Sequence, residues 1–157
     1  MSGGEETDTA KKVTDAALRP FLGFNLRRAW NVIHADLGAT LDPLGLRMIT
    51  FSALVVIGDN PGLSQAQLAA ALSVERPNLV TVTDELTRRG LISRERVPSD
   101  RRTYALRLTT AGARLLAQAT EAVHAHETSL YAGLTGDDRA QLLGALAKIE
   151  ATGTGRS

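Results

Sequence analysis

The sequence has 157 residues, enough for one domain or for one domain with an appended dimerisation element. Hydrophobic residues make up 43% of it, enough for a packed core, while the 4% of aromatic residues disfavours binding of single-stranded nucleic acid by stacking. The absence of cysteine excludes disulfides, thiolate metal sites and thiol redox switches. No apolar run reaches the roughly 18 residues of a membrane span, and no signal peptide is recognisable, so we expect a cytoplasmic protein.

Apolar residues spaced three or four positions apart predict helices in the N-terminal third. Residues 1–12 are small and charged, and we expect a flexible tail there. The first long helix is expected over 18–37, with Pro20 in its first turn and Gly38 at its end. A second helix is expected over 45–57. We assign residues 13–45 as an N-terminal dimerisation helix.

The stretch 46–109 has the pattern of a winged helix-turn-helix, a DNA-binding region. Ser64 and Gln67 form an S-x-x-Q capping box, which begins a helix that we expect to end near Leu72. After a Ser-Val turn, a second helix is expected over 75–89, with an apolar inner face. Its outward face presents polar side chains spaced three or four residues apart: Asn78, Thr81, Glu85 and Arg88.

A basic hairpin is predicted after these helices, with strands over 92–97 and 103–108 around the loop 98–102. The net charge of +1 conceals an asymmetry, because Arg88 to Arg107 contains seven arginines and two acids, whereas the rest holds eleven bases and fifteen acids. A local positive stripe on a nearly neutral chain favours a polyanion bound at one place. A solvated charged hairpin is the alternative.

Two more helices are predicted over 110–150, followed by a tail over 151–157. Thr109 caps the first of them and Thr135 the second, through a T-x-x-D pattern. Like the first long helix, both carry apolar stripes outside the winged core, so each needs a partner. A two-fold dimer supplies that partner and spaces two recognition helices about one DNA turn apart.

Together these features favour binding to duplex DNA. A helix with a short polar face fits the major groove, and arginines at a hairpin tip fit a narrow minor groove. The predicted DNA-binding residues are Ser64, Gln67, Arg76, Pro77, Asn78, Thr81, Arg88, Arg101 and Arg102. Asp100 would repel phosphate, so we expect it to stabilise the wing by pairing with an arginine. For Asn78 and Thr81 the alternative is an ordinary solvated helix face.

Two stretches carry a resemblance to a known family. RPNLVTVTDELTRRGL at 76–91 and DRRTYALRLTTAG at 100–112 resemble the MarR family of winged helix-turn-helix transcription regulators. The second has the family's wing signature, D-x-R followed by L-T. The resemblance implies a mainly α fold with a small β-hairpin wing and long N- and C-terminal dimerisation helices. It also implies a homodimer that binds a pseudo-palindromic operator, usually as a repressor released by a small, often aromatic, anionic ligand. Thr81 and Glu85 depart from the family pattern, because long basic residues are frequent at both positions.

The first long helix supplies candidates for a ligand site. A pocket between the dimerisation helices and the winged core would be lined partly by this helix, where a cation and an imidazole beside aromatic rings suit an aromatic carboxylate. The predicted ligand-binding residues are Phe24, Arg27, Trp30, Asn31 and His34. The alternative is that Trp30 lies in a core or an interface and that Arg27 is a surface base.

An enzyme is the least favoured class. His124 and His126 are two residues apart, so on a helix they point about 200° apart and cannot both bind one metal ion. The sequence has no glycine-rich phosphate loop and no pattern of paired catalytic carboxylates, and we predict neither a metal nor a cofactor. The remaining alternative is a winged-helix protein-interaction module without specific DNA binding, whose hairpin or recognition helix contacts an acidic partner.

Overall fold

A computed structural model describes residues 13–97 and 100–153, with side chains at all of these positions except 97 and 100–103. Within these ranges the chain forms six α-helices, two 3-10 helices and one two-stranded antiparallel sheet. The predicted fold, mainly α with a small β-hairpin, is therefore confirmed. The predicted N-terminal tail and the last four residues of the predicted C-terminal tail lie outside the described residues.

The α-helices are α1 (Leu22–Leu41), α2 (Met48–Asp59), α3 (Gln65–Ala71), α4 (Arg76–Arg88), α5 (Thr110–Leu130) and α6 (Gly136–Gly153). The strands are β1 (Ile92–Val97) and β2 (Asp100–Leu108), and the 3-10 helices are Ala16–Leu18 and Asp42–Leu44.

The first two α-helices differ from their predicted bounds. Pro20 lies in the turn before α1, and Gly38 does not end the helix, because a helical glycine costs only about 1 kcal/mol. The chain leaves α1 at Asp42–Leu44, which has a proline in its first turn. Gly45 follows with a φ of +63°, so α2 begins three residues later than predicted. At the other end of the chain, α6 continues to Gly153 and includes three residues of the predicted tail.

The hairpin differs from the prediction because two arginines that were expected in its loop belong to its second strand. Strand β2 begins at Asp100, so Arg101 and Arg102 belong to the strand and only residues 98–99 separate it from β1. The register explains this, since Arg96 pairs with Tyr104 but Val97 pairs with Asp100. Residues 101–103 are therefore extra residues on β2 at an irregularity of the ladder. The predicted loop over 98–102 was too long.

The chain divides into two compact units, residues 1–35 and 36–157. In the first unit, Asp15 pairs with Arg19 at 3.0 Å and with Arg28 at 3.2 Å, and the hydrogen bond from Arg19 lowers the pKa of the carboxyl group.

The second unit contains the apolar core, to which α2, α3, α4, α5 and both strands contribute. In this unit, Nδ1 of His126 lies 3.0 Å from the Asp36 carboxylate, and the histidine side chain is buried. The buried apolar residues are Leu41, Leu46, Ala53, Leu54, Ile57, Leu68, Ala69, Leu79, Val82, Leu86, Leu91, Ile92, Leu106 and Ala119.

Among the residues that the structure covers, no single helix is long and apolar enough to cross a membrane. One bent pair, 22–44 with 48–59, meets the length and composition criteria only when its two parts are taken together.

Candidate nucleic-acid interface

The helix-turn-helix is formed by α3, a short turn and α4. The predicted capping box is confirmed: the Ser64 N–H donates to Gln67 Oε1 at 2.8 Å, and the Gln67 N–H donates to Ser64 Oγ at 3.2 Å. The turn closes where the Val74 N–H donates to the Ala69 carbonyl at 3.0 Å, and it requires a left-handed backbone at Ser73, whose φ is +52°. Local hydrogen bonds therefore set where α3 begins and how the turn after it closes.

Helix α4 is amphipathic in the predicted orientation. Leu79, Val82 and Leu86 are buried in the core, as predicted. Pro77 stands in the first turn, where a missing N–H costs no helical hydrogen bond. On the other side of the helix, the side chains predicted to contact DNA are exposed: Arg76, Pro77, Asn78, Thr81 and Arg88.

Two grooves flank the exposed face of α4. The Tyr104 groove lies between the starts of α3 and α4 and strand β2, and it is lined by Ser64, Gln65, Ala66, Arg76, Leu79, Val80 and Tyr104. The Arg47 groove lies between the start of α2 and α4, and it is lined by Arg47, Ile49, Val74, Asn78, Thr81 and Val82.

The structure thus brings four of the predicted DNA-binding residues to the two grooves that flank α4: Ser64, Arg76, Asn78 and Thr81. Gln67 is exposed in the first turn of α3, and its amide is engaged in the capping box. Arg88 is the last residue of α4 and lies about 15 Å along the helix axis from Asn78. Tyr104, which is 39% exposed, was not among the predicted residues.

A buried threonine holds α3, α4 and the wing together. Thr83 is fully buried, and its Oγ1 accepts hydrogen bonds from Gln65 Nε2 at 2.7 Å and from Arg94 at 2.9 Å. It donates to the Val80 carbonyl at 3.1 Å, and Arg94 also pairs with Asp84. Sequence reasoning missed this network. A signal was present, because Thr83 is a polar residue on an apolar helix face, and such residues are nearly always hydrogen-bonded when buried.

The wing is also attached to the segment that precedes α3. The Gly62 N–H donates to the Leu106 carbonyl at 2.8 Å, and the Leu106 N–H donates to the Leu63 carbonyl at 2.9 Å. An isolated bridge pairs Ser64 with Ala105. Strand β2 therefore has a partner on each side where it meets α3.

The positive charge of the hairpin is partly neutralised within the protein. Arg94 pairs with Asp84, and Arg107 pairs with Glu95 at 3.1 Å. Arg89 pairs with Glu85. Three of the seven arginines counted in the sequence are therefore paired with acidic residues of the protein, and less positive charge is available to a partner than the composition suggested. The side chains of Asp100, Arg101 and Arg102 lie outside the described part, and their roles in the wing stay predictions.

Glu85 is engaged in ion pairs and does not project freely from the polar face of α4 as the sequence had suggested. It was counted on the polar face of the recognition helix, but its carboxylate binds two arginines, Arg47 and Arg89, the latter at 3.6 Å. Only 23% of its side chain is exposed. Arg89 also donates to the Gly45 carbonyl at 2.7 Å. Glu85 therefore joins α4 to the residues that precede α2.

The predicted ligand-binding residues lie in the first unit. Phe24 is half-buried, and Arg27, Trp30, Asn31 and His34 are exposed. The Trp30 and His34 rings are tilted with their centroids 5.4 Å apart. The cations over the Phe24 ring are Arg19 and Arg28, at 5.9 and 5.8 Å from its centroid; sequence reasoning had selected Arg27.

The described residues contain no group of three or more histidine, aspartate or glutamate side chains that could hold a metal ion.

A helix-turn-helix with an exposed polar second helix, joined to a two-stranded wing, is a winged helix-turn-helix, an architecture typical of DNA-binding proteins. The MarR family profile matches residues 44–103. A Thauera aromatica protein assigned as the transcriptional regulatory protein for the hcr operon is 36% identical over 129 residues, which cover 82% of this chain and 78% of that protein. The chain belongs to the MarR family of transcriptional regulators.

Solved structures support membership of this family. The transcriptional repressor CouR bound to a 23-mer DNA duplex is 38% identical, with a TM-score of 0.85 over 88% of this chain and 99% of that one. CouR bound to p-coumaroyl-CoA is 35% identical, with a TM-score of 0.80 over 88% and 98% of the two chains. The predicted family and fold are confirmed, and these relatives are regulators of transcription, not enzymes.

Proposed function

We propose that this protein is a homodimeric repressor that binds a specific double-stranded operator and is released by a small aromatic, anionic ligand. The observation that carries the proposal is the exposed polar face of α4, flanked by the Tyr104 groove and the Arg47 groove. The likeness to CouR, a repressor solved with a DNA duplex, supports it. Such a target would place the protein in the cytoplasm.

In this proposal each predicted residue has a role in contacting DNA. Asn78 and Thr81 enter the major groove with Arg76 and Pro77, because the first turns of a recognition helix reach the base edges. Ser64, Gln67 and Arg88 contact the phosphate backbone. Arg101 and Arg102 reach the adjacent minor groove, where narrow A·T-rich DNA concentrates negative potential, and Asp100 stiffens the wing.

Exposed apolar side chains support the dimer. Trp30 and Val32 on α1 are 49% and 59% exposed, and Leu143 on α6 is 68% exposed. Apolar surface of this kind on long terminal helices is typical of a subunit interface. A two-fold dimer would present two copies of α4 to a pseudo-palindromic operator, at half-sites about 34–36 Å apart. Light scattering that reports only a monomer at micromolar concentration would contradict the dimer.

A direct test of DNA binding starts with selection of bound duplexes from a random pool, followed by a salt titration of the best duplex. We expect log affinity to fall linearly with log salt, because each phosphate contact releases counterions. Asn78→Ala should change the preference at one base pair by about 1–3 kcal/mol, whereas Arg101→Ala with Arg102→Ala should weaken all duplexes alike. Failure to bind any duplex at low salt would favour the protein-interaction module.

The ligand class has its own support and its own test. The p-coumaroyl-CoA bound by CouR combines an aromatic ring with anionic groups, the chemistry expected beside Phe24, Arg27, Trp30, Asn31 and His34. Aromatic acids and their CoA thioesters should raise the melting temperature and release the duplex. Arg27→Ala should reduce both effects, while Arg114→Ala on the exposed side of α5 serves as the control. No release by any compound, or an Arg27→Ala variant that responds like wild type, would contradict this site.

A further inference from the structure

Arg47 stands at a fixed point of the backbone beside the exposed face of α4. It is the extended residue before α2, with φ of −110° and ψ of 162°. Its N–H donates to Thr50 Oγ1 at 2.8 Å, and its carbonyl accepts from the same hydroxyl at 2.9 Å. The backbone from which this side chain extends is therefore held by two hydrogen bonds.

The guanidinium group of Arg47 is bound by one ion pair, while most of the side-chain surface is exposed to solvent. One guanidinium nitrogen binds the Glu85 carboxylate, yet 61% of the side chain is exposed. Arg89, the other arginine on that carboxylate, is 29% exposed and is also bound to the Gly45 carbonyl. A guanidinium has five N–H donors, so Arg47 keeps donors for a further partner.

The charge of this cluster is positive and lies beside the residues expected to read DNA. Two guanidinium groups on one carboxylate leave a net charge of +1. Arg47 lines the same groove as Asn78 and Thr81, and Glu85 lies one helical turn beyond Thr81. An unpaired carboxylate at this position would repel a DNA backbone, whereas the paired one holds a cation in this groove.

We infer that Arg47 is a phosphate-binding residue of the DNA interface and that Glu85 is the residue that positions it. The inference rests on the proposed function. Arg47 neutralises one phosphate at the edge of the major groove occupied by α4, and the ion pair reduces the conformational freedom lost on binding. Because Arg47 contacts the backbone and not the bases, its contribution is the same for every duplex sequence.

The experiment compares Arg47→Gln with wild type on the selected duplex and on a scrambled one. We expect the same fold loss of affinity on both duplexes and a salt slope reduced by about one unit. The ratio of wild-type affinity to Arg47→Gln affinity should therefore fall about 3.5-fold between roughly 50 and 200 mM salt.

Two control variants separate charge from position. Arg47→Lys should retain the slope of log affinity against log salt, because it keeps the charge. Arg114→Gln should leave affinity and slope unchanged. Thermal melting should change little, because the Arg47 side chain is 61% exposed and Glu85 keeps Arg89 as a partner.

Positioning by Glu85 is tested in a double-mutant cycle. The loss caused by Arg47→Gln should be smaller in a Glu85→Gln background, because Arg47 is then no longer held toward the phosphate. Equal losses in both backgrounds would overturn the role of Glu85. An unchanged salt slope in Arg47→Gln would overturn the phosphate contact, and unequal losses on the two duplexes would make Arg47 a base reader. Wild-type protein that binds no duplex would refute the proposed function itself.

Discussion

Gly112 is a position where one added methyl group should separate helix α5 from the base of the wing. It is the third residue of α5, and a Cβ there would lie 1.9 Å from the Leu91 carbonyl oxygen and 2.9 Å from its carbon. The same oxygen accepts a hydrogen bond from the Thr109 N–H at 3.0 Å. Thr109 Oγ1 donates to the Gly90 carbonyl at 2.7 Å and accepts from the Gly112 N–H at 3.0 Å. The close approach is therefore part of the junction between α4, β1 and α5.

The cost of Gly112→Ala follows from these distances. Real Cβ atoms almost never approach another heavy atom within 3.0 Å, so the start of α5 or the Leu91 peptide must move by at least the 1.1 Å that separates 1.9 from 3.0 Å. Such a shift adds overpacking and weakens the hydrogen bonds of Thr109, for an expected destabilisation of about 2–4 kcal/mol. For a chain of this length that corresponds to a fall in melting temperature of roughly 5–15 °C.

Gly144→Ala in helix α6 is the matched control. Gly144 is an exposed, helical residue, and an added Cβ meets no atom within 4 Å. Because alanine favours helix formation over glycine, this variant should be more stable by about 0.5–1 kcal/mol. Urea denaturation and thermal melting of both variants would measure the two effects. A Gly112→Ala protein at least as stable as wild type would refute the close approach at Leu91.

Two further predictions concern hydrogen bonds. Thr83→Val keeps the side-chain shape but removes the acceptor of Gln65 and one of the two acceptors of Arg94, so we expect a loss of about 1–3 kcal/mol in urea denaturation, with Thr83→Ser closer to wild type. Hydrogen bonds from Thr135 lower the pKa of Asp138 below its ordinary value of 3.8, so the stability they contribute is present above that pH and is lost as the pH falls through the lowered pKa. Asp138→Asn should therefore melt below wild type at neutral pH, and the difference should disappear in acid; a constant difference would contradict this linkage.

Features of the fold that depend on neighbouring residues could be predicted closely. The capping box of Ser64 and Gln67 involves residues three apart, and the Thr109 cap binds the N–H of Gly112, again three residues away. The inner face of α4 follows from the 3.6-residue period of the helix. These predictions were correct because the atoms involved are brought together by a single turn of chain, whatever the rest of the protein does.

The sequence by itself determined the helices, the capped starts of α3, α5 and α6, and the polar face of α4, because short-range hydrogen bonds and periodicity decide these features. Only the tertiary structure decided the partners of the charged residues. Arg47 meets Glu85 across 38 positions, and Gln65 meets Thr83 across 18. The register of the hairpin likewise placed Arg101 in β2. Such contacts depend on how separate segments pack together, and no periodicity in the chain encodes them.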